Sequence, residues 1–165
     1  MSIHHQAEIP ASAAEVYELL ADASALSALS RMSGAGGRAA GEEFSAFDGH
    51  VTGRQVELVP GAMLVQAWRF PVWEPGLYTS VRFTLEASAT GTRLSIDQRG
   101  EPDGPDALGC HSSWRDHLDE GWLMFYLTPL ARHCAQAAAA KVTAACEIAA
   151  LTEAARPLTG SGRHG

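Results

Sequence analysis

The sequence predicts an α+β domain in which an antiparallel sheet of six strands packs against a long C-terminal helix, with two short helices after the first strand. Three observations predict it. Short segments of alternating polar and apolar residues fill residues 44–99, with the turn pairs Asp48-Gly49 and Pro60-Gly61 between them. Ser12 and Glu15 form a capping box that begins a helix directly after the first strand. An apolar stripe at helical spacing begins near Ser113.

The six strands are assigned from period-two alternation. The first covers residues 3–9 and ends at Pro10; the others lie around 44–46 and at 51–59, 63–70, 78–87 and 93–99. The alternation slips around Gly53, which predicts a β-bulge there. The glycine-rich run at residues 33–41 lacks a phosphate-loop ending and is interpreted as a flexible connector.

Helical spacing predicts the other elements. The capping box begins the first helix, and a second short helix covers residues 26–32. The C-terminal helix begins at Ser112 or Ser113. Its apolar stripe consists of Trp114, Leu118, Gly121, Trp122 and Phe125. Three further apolar residues, Leu123, Met124 and Leu127, lie outside that stripe, so the helix is expected to bury a second side.

The C-terminal part of the chain is expected to be an appendage. Pro129 is expected to kink or interrupt the helix. Residues 134–156 are alanine-rich and helical by propensity, and the residues after Pro157 are expected to fray. The chain is therefore divided into a domain at residues 1–136 and an alanine-rich helical extension with a frayed tail at residues 137–165.

Composition limits the classes of function. A length of 165 residues favours one domain with its own core. The net charge of -7 and the single lysine, Lys141, argue against nucleic acid or an anionic membrane as partner. Neither a leader sequence nor a long uncharged apolar run is evident, and the three cysteines form no C-x-x-C pair. The expected location is therefore the cytoplasm.

Motifs for catalysis, metals and cofactors are missing from the sequence. There is no nucleophile-elbow motif. His111 and His117 are six residues apart and, placed on one helix, would point in different directions. We therefore expect no catalytic residue, no metal and no cofactor. Asp116, Asp119 and Glu120 are interpreted as a solvated helix face.

Aromatic residues on the predicted sheet and helix face one another and predict a partly apolar cavity between the two layers. The alternative interpretation is that these aromatic residues simply fill the core. Gln66, Gln98 and His5 are predicted to point inward and to need polar partners. The candidate ligand-binding residues are Phe44, Gln66, Trp68, Phe70, Phe83, Leu85, Gln98, Trp114, Leu118, Trp122 and Phe125.

The order of elements and several local motifs resemble a known superfamily. The motifs are GHVTGRQVELVP at residues 49–60, AWRF at 67–70, WEPG at 73–76, GTRL at 91–94 and GW at 121–122. The chain resembles the helix-grip (START-like, SRPBCC) superfamily. Within it the chain is similar to the C-terminal domain of the activator of the ninety-kilodalton heat-shock protein ATPase and its short bacterial homologues. The resemblance implies a curved sheet wrapped around the C-terminal helix. Full-length activators have a separate N-terminal domain that this chain has no room for, so chaperone activation is not the expected activity.

Three functions remain open at this point. The first is non-enzymatic binding of a small, largely apolar molecule between sheet and helix. The second is a protein–protein interaction module, either linked to a chaperone or a homodimer formed through the outer side of residues 122–127 and the tail. The third is an enzyme, since some members of the superfamily are cyclases or hydrolases. That class needs a polar cluster, for which Asp48, His5 and Tyr126 are the candidates.

Overall fold

One antiparallel sheet organises the protein, and a computed structural model describes it for residues 2–156. The strands are β1 (Ser2–Ile9), β2 (Ala35–Gly36), β3 (Glu43–Ala46), β4 (Val51–Val59), β5 (Met63–Arg69), β6 (Thr79–Ser88) and β7 (Gly91–Arg99). Helices α1 (Ala13–Ala21) and α2 (Ala23–Ala28) follow β1. The C-terminal helix consists of α3 (Trp114–Gly121), a π-helical segment (Trp122–Leu127) and α4 (Thr128–Ala154). The predicted frayed tail after residue 156 lies outside the described residues.

The sheet order is β1-β7-β6-β5-β4-β3-β2, and all pairs are antiparallel. The predicted α+β class with its long C-terminal helix is confirmed. The count of six strands is wrong by one, because Ala35 and Gly36 pair with Ser45 and Phe44 as a seventh, edge strand.

The first part of the glycine-rich run is packed and so is not a free connector, whereas residues 38–41 are exposed and for them the interpretation as a flexible connector stays a prediction. A Cβ atom at Gly34 would lie 2.2 Å from the carbonyl oxygen of Ala23, and one at Gly36 would lie 2.4 Å from the Cα of Phe44. The glycines are needed because the backbone of this run lies directly against α2 and β3.

The β-bulge of β4 lies between Gln55 and Glu57, not at Gly53 as predicted. The extra residue, Val56, is exposed. Gly53 keeps regular register opposite Trp68. A Cβ atom there would lie 2.2 Å from the Ala67 carbonyl oxygen, so this glycine marks a close backbone approach instead.

Helices α1, α2 and α3 each begin at a residue whose side chain caps the helix. The Ser12 hydroxyl accepts a hydrogen bond from the Glu15 amide, and the Glu15 carboxylate accepts one from the Ser12 amide, as the capping box predicts. The second helix begins before the predicted Leu26, because the Asp22 carboxylate caps it at Ala23. Ser113 caps α3 as expected.

Pro129 does not end the C-terminal helix, although the α-helical pattern predicted to kink or break there changes to a π-helical segment directly before it. It occupies the first turn of α4, where a missing amide hydrogen is tolerated. The preceding turn is π-helical, and the amide of Thr128 bonds the carbonyl oxygen of Leu123, five residues back.

The π-helical segment sets which side chains of the C-terminal helix enter the core. Its wider turn brings Tyr126 and Leu127 inward after Trp122, whereas Phe125, the residue predicted for the stripe, is only partly buried. Leu123 and Met124 stay 47% and 56% exposed. Of the three residues predicted for the second side, Leu127 is therefore buried, and Leu123 and Met124 are left uncovered by the described part of the chain.

Helix α4 is mostly exposed. Only Leu130 and Cys134 are buried in it, and it runs without a break past residue 136. The division of the chain at residue 136 stays a prediction. By length and composition alone the helix Trp114–Ala154 could cross a membrane, which is weak evidence for a span.

Candidate functional site

A cavity of about 270 Å³ lies between the sheet, the β3–β4 turn, the loop before α3 and the C-terminal helix. Exposed residues of the lining, among them His50, Leu108 and Met124, form its mouth. Aromatic rings form its inner wall. The full lining is Met32, Phe47, His50, Val51, Trp68, Phe70, Leu108, Cys110, His111, His117, Leu118, Glu120, Gly121, Trp122, Met124, Phe125 and Tyr126.

Four stacked or tilted rings form the inner wall of the cavity and the core behind it. Trp122 stacks on Trp68 with 4.7 Å between ring centroids, and Tyr126 lies 4.6 Å from Trp122. Phe83 meets the edge of Trp122 at 5.7 Å. Such ring pairs contribute about 0.5–1.5 kcal/mol each beyond the area that they bury, so this wall is rigid.

Phe47 closes one side of the cavity in an unusual backbone conformation. Its φ is 52°, and Asp48 and Gly49 follow with positive φ in the predicted turn. The Phe47 ring packs 5.2 Å from Tyr126, and its amide donates a hydrogen bond to the Ser27 hydroxyl. A bulky residue rarely adopts positive φ, and such strain clusters at functional sites.

Buried glutamines hold the wall tryptophans from behind. The Trp68 indole donates to Gln66, and the Trp122 indole donates to Gln98, at 2.9 and 2.8 Å. The two amide groups in turn donate to Gln55 and Thr79. Their polar groups are thus satisfied inside the core. The indole rings therefore stand between these amides and the cavity.

Asp106, His111 and His117 meet at the edge of the cavity, and each can offer a ligand atom within 4.8 Å of the other two. The side chain of Asp106 is fully buried, and its Oδ2 lies 2.8 Å from Nδ1 of His117. Burial opposes ionisation of this carboxyl, but the Leu108 amide, His117 and the Cys110 amide outweigh it, so the pKa of Asp106 is lowered. Asp106 therefore carries its charge.

His111 and His117 were expected to point in different directions on one helix, and this expectation is wrong. His111 lies in the loop before Ser113, so helix geometry does not apply to the pair, and the loop folds back to bring the rings within 5.2 Å. His111 also pairs with Glu120. Glu120, predicted to be a solvated residue, therefore takes part in the cavity mouth.

The sequence model of one family, the Activator of Hsp90 ATPase homolog 1-like proteins, matches residues 10–120. The chain belongs to this family. The resemblance to the START-like superfamily that the sequence motifs indicate is thereby confirmed.

A human relative is the Activator of 90 kDa heat shock protein ATPase homolog 1. It is 31% identical to the chain over 81 residues, which are 49% of this chain and 24% of the human protein. The chain thus spans about a quarter of the length of this curated relative.

Solved structures share the fold of this family member. An Hsp90 activator from Plasmodium falciparum superposes with a TM-score of 0.68 at 22% identity, over 78% of this chain and 91% of the other. The Aha1 dimer from Colwellia psychrerythraea superposes with a TM-score of 0.62 at 19% identity, over 79% and 93%. At these identities the likeness concerns the fold.

In this member of the family, five of the eleven predicted ligand-binding residues line the cavity. They are Trp68, Phe70, Leu118, Trp122 and Phe125. The other six are buried elsewhere: Phe44, Gln66, Phe83, Leu85, Gln98 and Trp114. Of these, Phe44 and Gln66 border a void of about 10 Å³ deeper in the core.

Sequence reasoning missed the residues that loops and the π-helical segment bring to the cavity. Phe47, His50 and Val51 come from the β3–β4 turn, and the Asp48-Gly49 pair next to them was the available signal. Tyr126 enters because of the π-helical register. His111 and His117 come together through a loop, for which the sequence carried no signal.

Proposed function

We propose that this protein binds a small, largely apolar molecule in the cavity beside the π-helical segment and does not transform it. The observation that carries the proposal is the rigid aromatic wall of Trp68, Trp122 and Tyr126 around a preformed space. Preformed apolar space with few polar groups at one side is the usual form of a ligand site.

The size of the cavity limits the ligand. Sites for drug-sized molecules measure roughly 300–1,000 Å³. At about 270 Å³ the cavity suits a compact molecule below that size. Polar groups at the mouth, such as His50, His111 and Glu120, would contact its polar end.

The surroundings of the three candidate catalytic residues, Asp48, His5 and Tyr126, support a non-enzymatic role. The Asp48 carboxylate accepts hydrogen bonds from the amide and hydroxyl of Ser33, and His5 pairs with Asp119. Tyr126 is buried, and desolvation raises its pKa well above the ordinary value. Its phenol therefore stays protonated at neutral pH and cannot act as a base.

Gly121→Leu tests ligand binding. Gly121 lines the cavity, and a Cβ atom there would meet nothing within 4 Å. Its φ of -58° suits any residue, and leucine is a better helix former than glycine, which costs about 0.8–1.0 kcal/mol relative to alanine. We expect Gly121→Leu to fill the cavity while keeping the fold. Native mass spectrometry of freshly purified protein should show a bound small molecule in the wild type and not in the variant.

The matched control is Ala139→Leu, which adds a leucine at an exposed position of α4 away from the cavity. It should retain the bound mass. An environment-sensitive apolar dye gives a second readout, because its fluorescence should rise with the wild type and with Ala139→Leu only. Equal dye binding by all three proteins and no bound mass would contradict the proposal.

A second candidate function is protein–protein interaction, as a homodimer or with a chaperone. It is favoured by the exposure of Leu123 and Met124 beside the exposed Leu108. Adjacent exposed apolar residues of this kind mark interaction sites. The Colwellia relative is a dimer, and the human relative is named as an activator of a heat shock protein ATPase.

Light scattering at two protein concentrations tests the homodimer. We expect a dimer mass for the wild type and a monomer mass for the double variant Leu123→Ser/Met124→Ser, because each substitution removes apolar area from the interface. Val56→Ser, at the exposed bulge of β4 and away from residues 122–127 and the tail, is the control. A wild-type monomer at both concentrations would exclude the homodimer. Both candidate functions are proposed for the cytoplasm.

A further inference from the structure

We propose that Asp106, His111 and His117 bind a divalent transition-metal ion, zinc being the expected one, at the wall of the cavity. Two imidazoles and one carboxylate are a common ligand set for such ions. The cluster joins the loop after β7 to helix α3, and its ligand atoms lie within 4.8 Å of one another. The proposal does not depend on ligand binding in the cavity.

Two of the three separations between the ligand atoms need only small adjustments to hold an ion, and the third, between the two imidazoles, is up to 4.8 Å and must close further. Nδ1 of His117 lies 2.8 Å and Nδ1 of His111 lies 3.7 Å from Oδ2 of Asp106. Ligand atoms of a tetrahedral zinc, bound at about 2.0–2.1 Å, are about 3.3 Å apart. One separation must open by about half an ångström and the other must close by a similar amount. His111 is on a loop, so its ring can make this movement.

The surroundings of His111 point to a positive charge beside Nδ1. Glu120 pairs with its other nitrogen, Nε2, and a carboxylate there accepts a hydrogen bond from Nε2–H, so a neutral ring carries its one proton on Nε2. Nδ1 then presents a lone pair. This atom is buried and has no hydrogen-bond partner among residues 2–156, and the atom that it faces is another acceptor, Oδ2 of Asp106. Two acceptors facing each other are stabilised by a cation between them.

The other ligands are also supported by their neighbours. The Leu108 amide donates to Oδ1 of Asp106 at 2.7 Å and the Cys110 amide donates to Oδ2 at 3.2 Å, so the carboxylate is fixed with Oδ2 beside the two imidazoles. The His117 ring is packed edge-on against Phe70 at 5.4 Å and lies 5.3 Å from Trp114. When an ion replaces its hydrogen bond to Asp106, His117 carries its proton on Nε2. Supporting contacts of this kind accompany metal-binding histidines.

One coordination position is left open toward the cavity. Both imidazoles line the cavity, and Asp106 is buried behind them. Three protein ligands with a free position are typical of zinc sites that bind a further molecule, whereas structural zinc sites use four.

The experiment is a titration of chelator-treated, full-length protein with zinc chloride by calorimetry. Cobalt chloride, followed by its visible absorption, reports the geometry. We expect one ion per chain. Asp106→Asn and His111→Gln should each weaken binding at least tenfold, and Glu120→Gln should weaken it about 10–100-fold through loss of support to His111. Equimolar zinc should raise the unfolding temperature of the wild type more than that of these variants.

His133→Gln is the control, because His133 is exposed on α4, away from the cluster. It should bind zinc as the wild type does. Glu120 is exposed, so Glu120→Gln keeps the proposal testable should the buried substitutions prevent folding. The proposal is overturned by a wild type that binds no stoichiometric ion, or by binding that survives Asp106→Asn, His111→Gln and Glu120→Gln unchanged. Either result would mean that the three residues form ion pairs that hold the loop against α3.

Discussion

At the scale of the residue, Trp122 connects the core with the cavity. It is 2% exposed and contacts Trp68, Phe83 and Tyr126 through its ring. Its indole also begins a buried hydrogen-bond chain through Gln98 to Thr79. One side chain therefore supplies both apolar area and the donor that satisfies a buried amide.

Two substitutions separate these contributions of Trp122. Trp122→Ala should lower the free energy of unfolding by about 3–5 kcal/mol, as truncation of a buried aromatic residue does. Trp122→Phe keeps a ring and leaves Oε1 of Gln98 without its donor, so about 1–3 kcal/mol should be lost. Urea unfolding measures both values, with Val72→Ala at an exposed position as control. An unchanged midpoint for Trp122→Ala would contradict its place in the core.

At the scale of the element, Glu15 links α1 to α4. It completes the capping box of α1 and accepts a hydrogen bond from Lys141 at 2.8 Å. Lys141 first, and then the capping contacts with Ser12, lower the pKa of Glu15 from 4.5 to about 2. The contact is exposed to solvent, so salt screens it.

The lowered pKa of Glu15 makes the stability of the protein depend on pH, with a known sign. Because the folded pKa lies below the unfolded one, the contribution of Glu15 to stability is complete above pH 4.5 and is lost as the pH falls to about 2. Glu15→Gln keeps a capping residue without the charge. Urea midpoints should show the wild type more stable above pH 4.5 and the difference shrinking toward pH 2. A difference that is constant with pH would contradict the assignment.

The π-helical segment shows how an element can be set by packing. Residues 122–127 are apolar on more than one side, and an α-helical turn would bring Phe125 inward. The wider turn instead places Tyr126 and Leu127 in the core and leaves Phe125 at the cavity. π-helical turns inside α-helices often occur at functional sites, which agrees with the place of this one in the cavity wall.

At the scale of the whole molecule, the distribution of buried residues along α4 indicates where the domain ends. The buried side chains of α4 are Leu130 and Cys134, and its contact beyond them includes the exposed pair of Lys141 and Glu15. Residues 137–154 thus add helix without adding core. This agrees with the predicted domain at residues 1–136, which we keep as a proposal.

Truncation tests the domain boundary. A chain ending at Gln136 should unfold cooperatively with a midpoint within about 4 °C of the full chain, because it keeps every buried residue of α4. A chain ending at Pro129 loses Leu130 and Cys134 and should be markedly less stable. Calorimetry measures both. A chain ending at Gln136 that fails to fold would place the tail inside the domain.

Much of the fold could be predicted because its signals are local. The capping box at Ser12, the turns at Asp48-Gly49 and Pro60-Gly61, and the alternation of β5, β6 and β7 depend on neighbours a few residues apart. The aromatic content of the sheet and helix predicted the inner wall of the cavity in the same way.

Tertiary structure alone decided where glycine is required and which residues meet at the cavity, because both depend on segments far apart in the chain. Gly53 is required by the approach of Ala67, and Gly34 and Gly36 are required by the approach of α2 and β3. Asp106 and His117 meet only because a loop folds back onto α3. The sequence by itself determined most of the strands and helices and the kind of fold they make, but not β2 or the π-helical segment. The packing of distant segments decided which side chains face the cavity, since no spacing rule reaches across a loop.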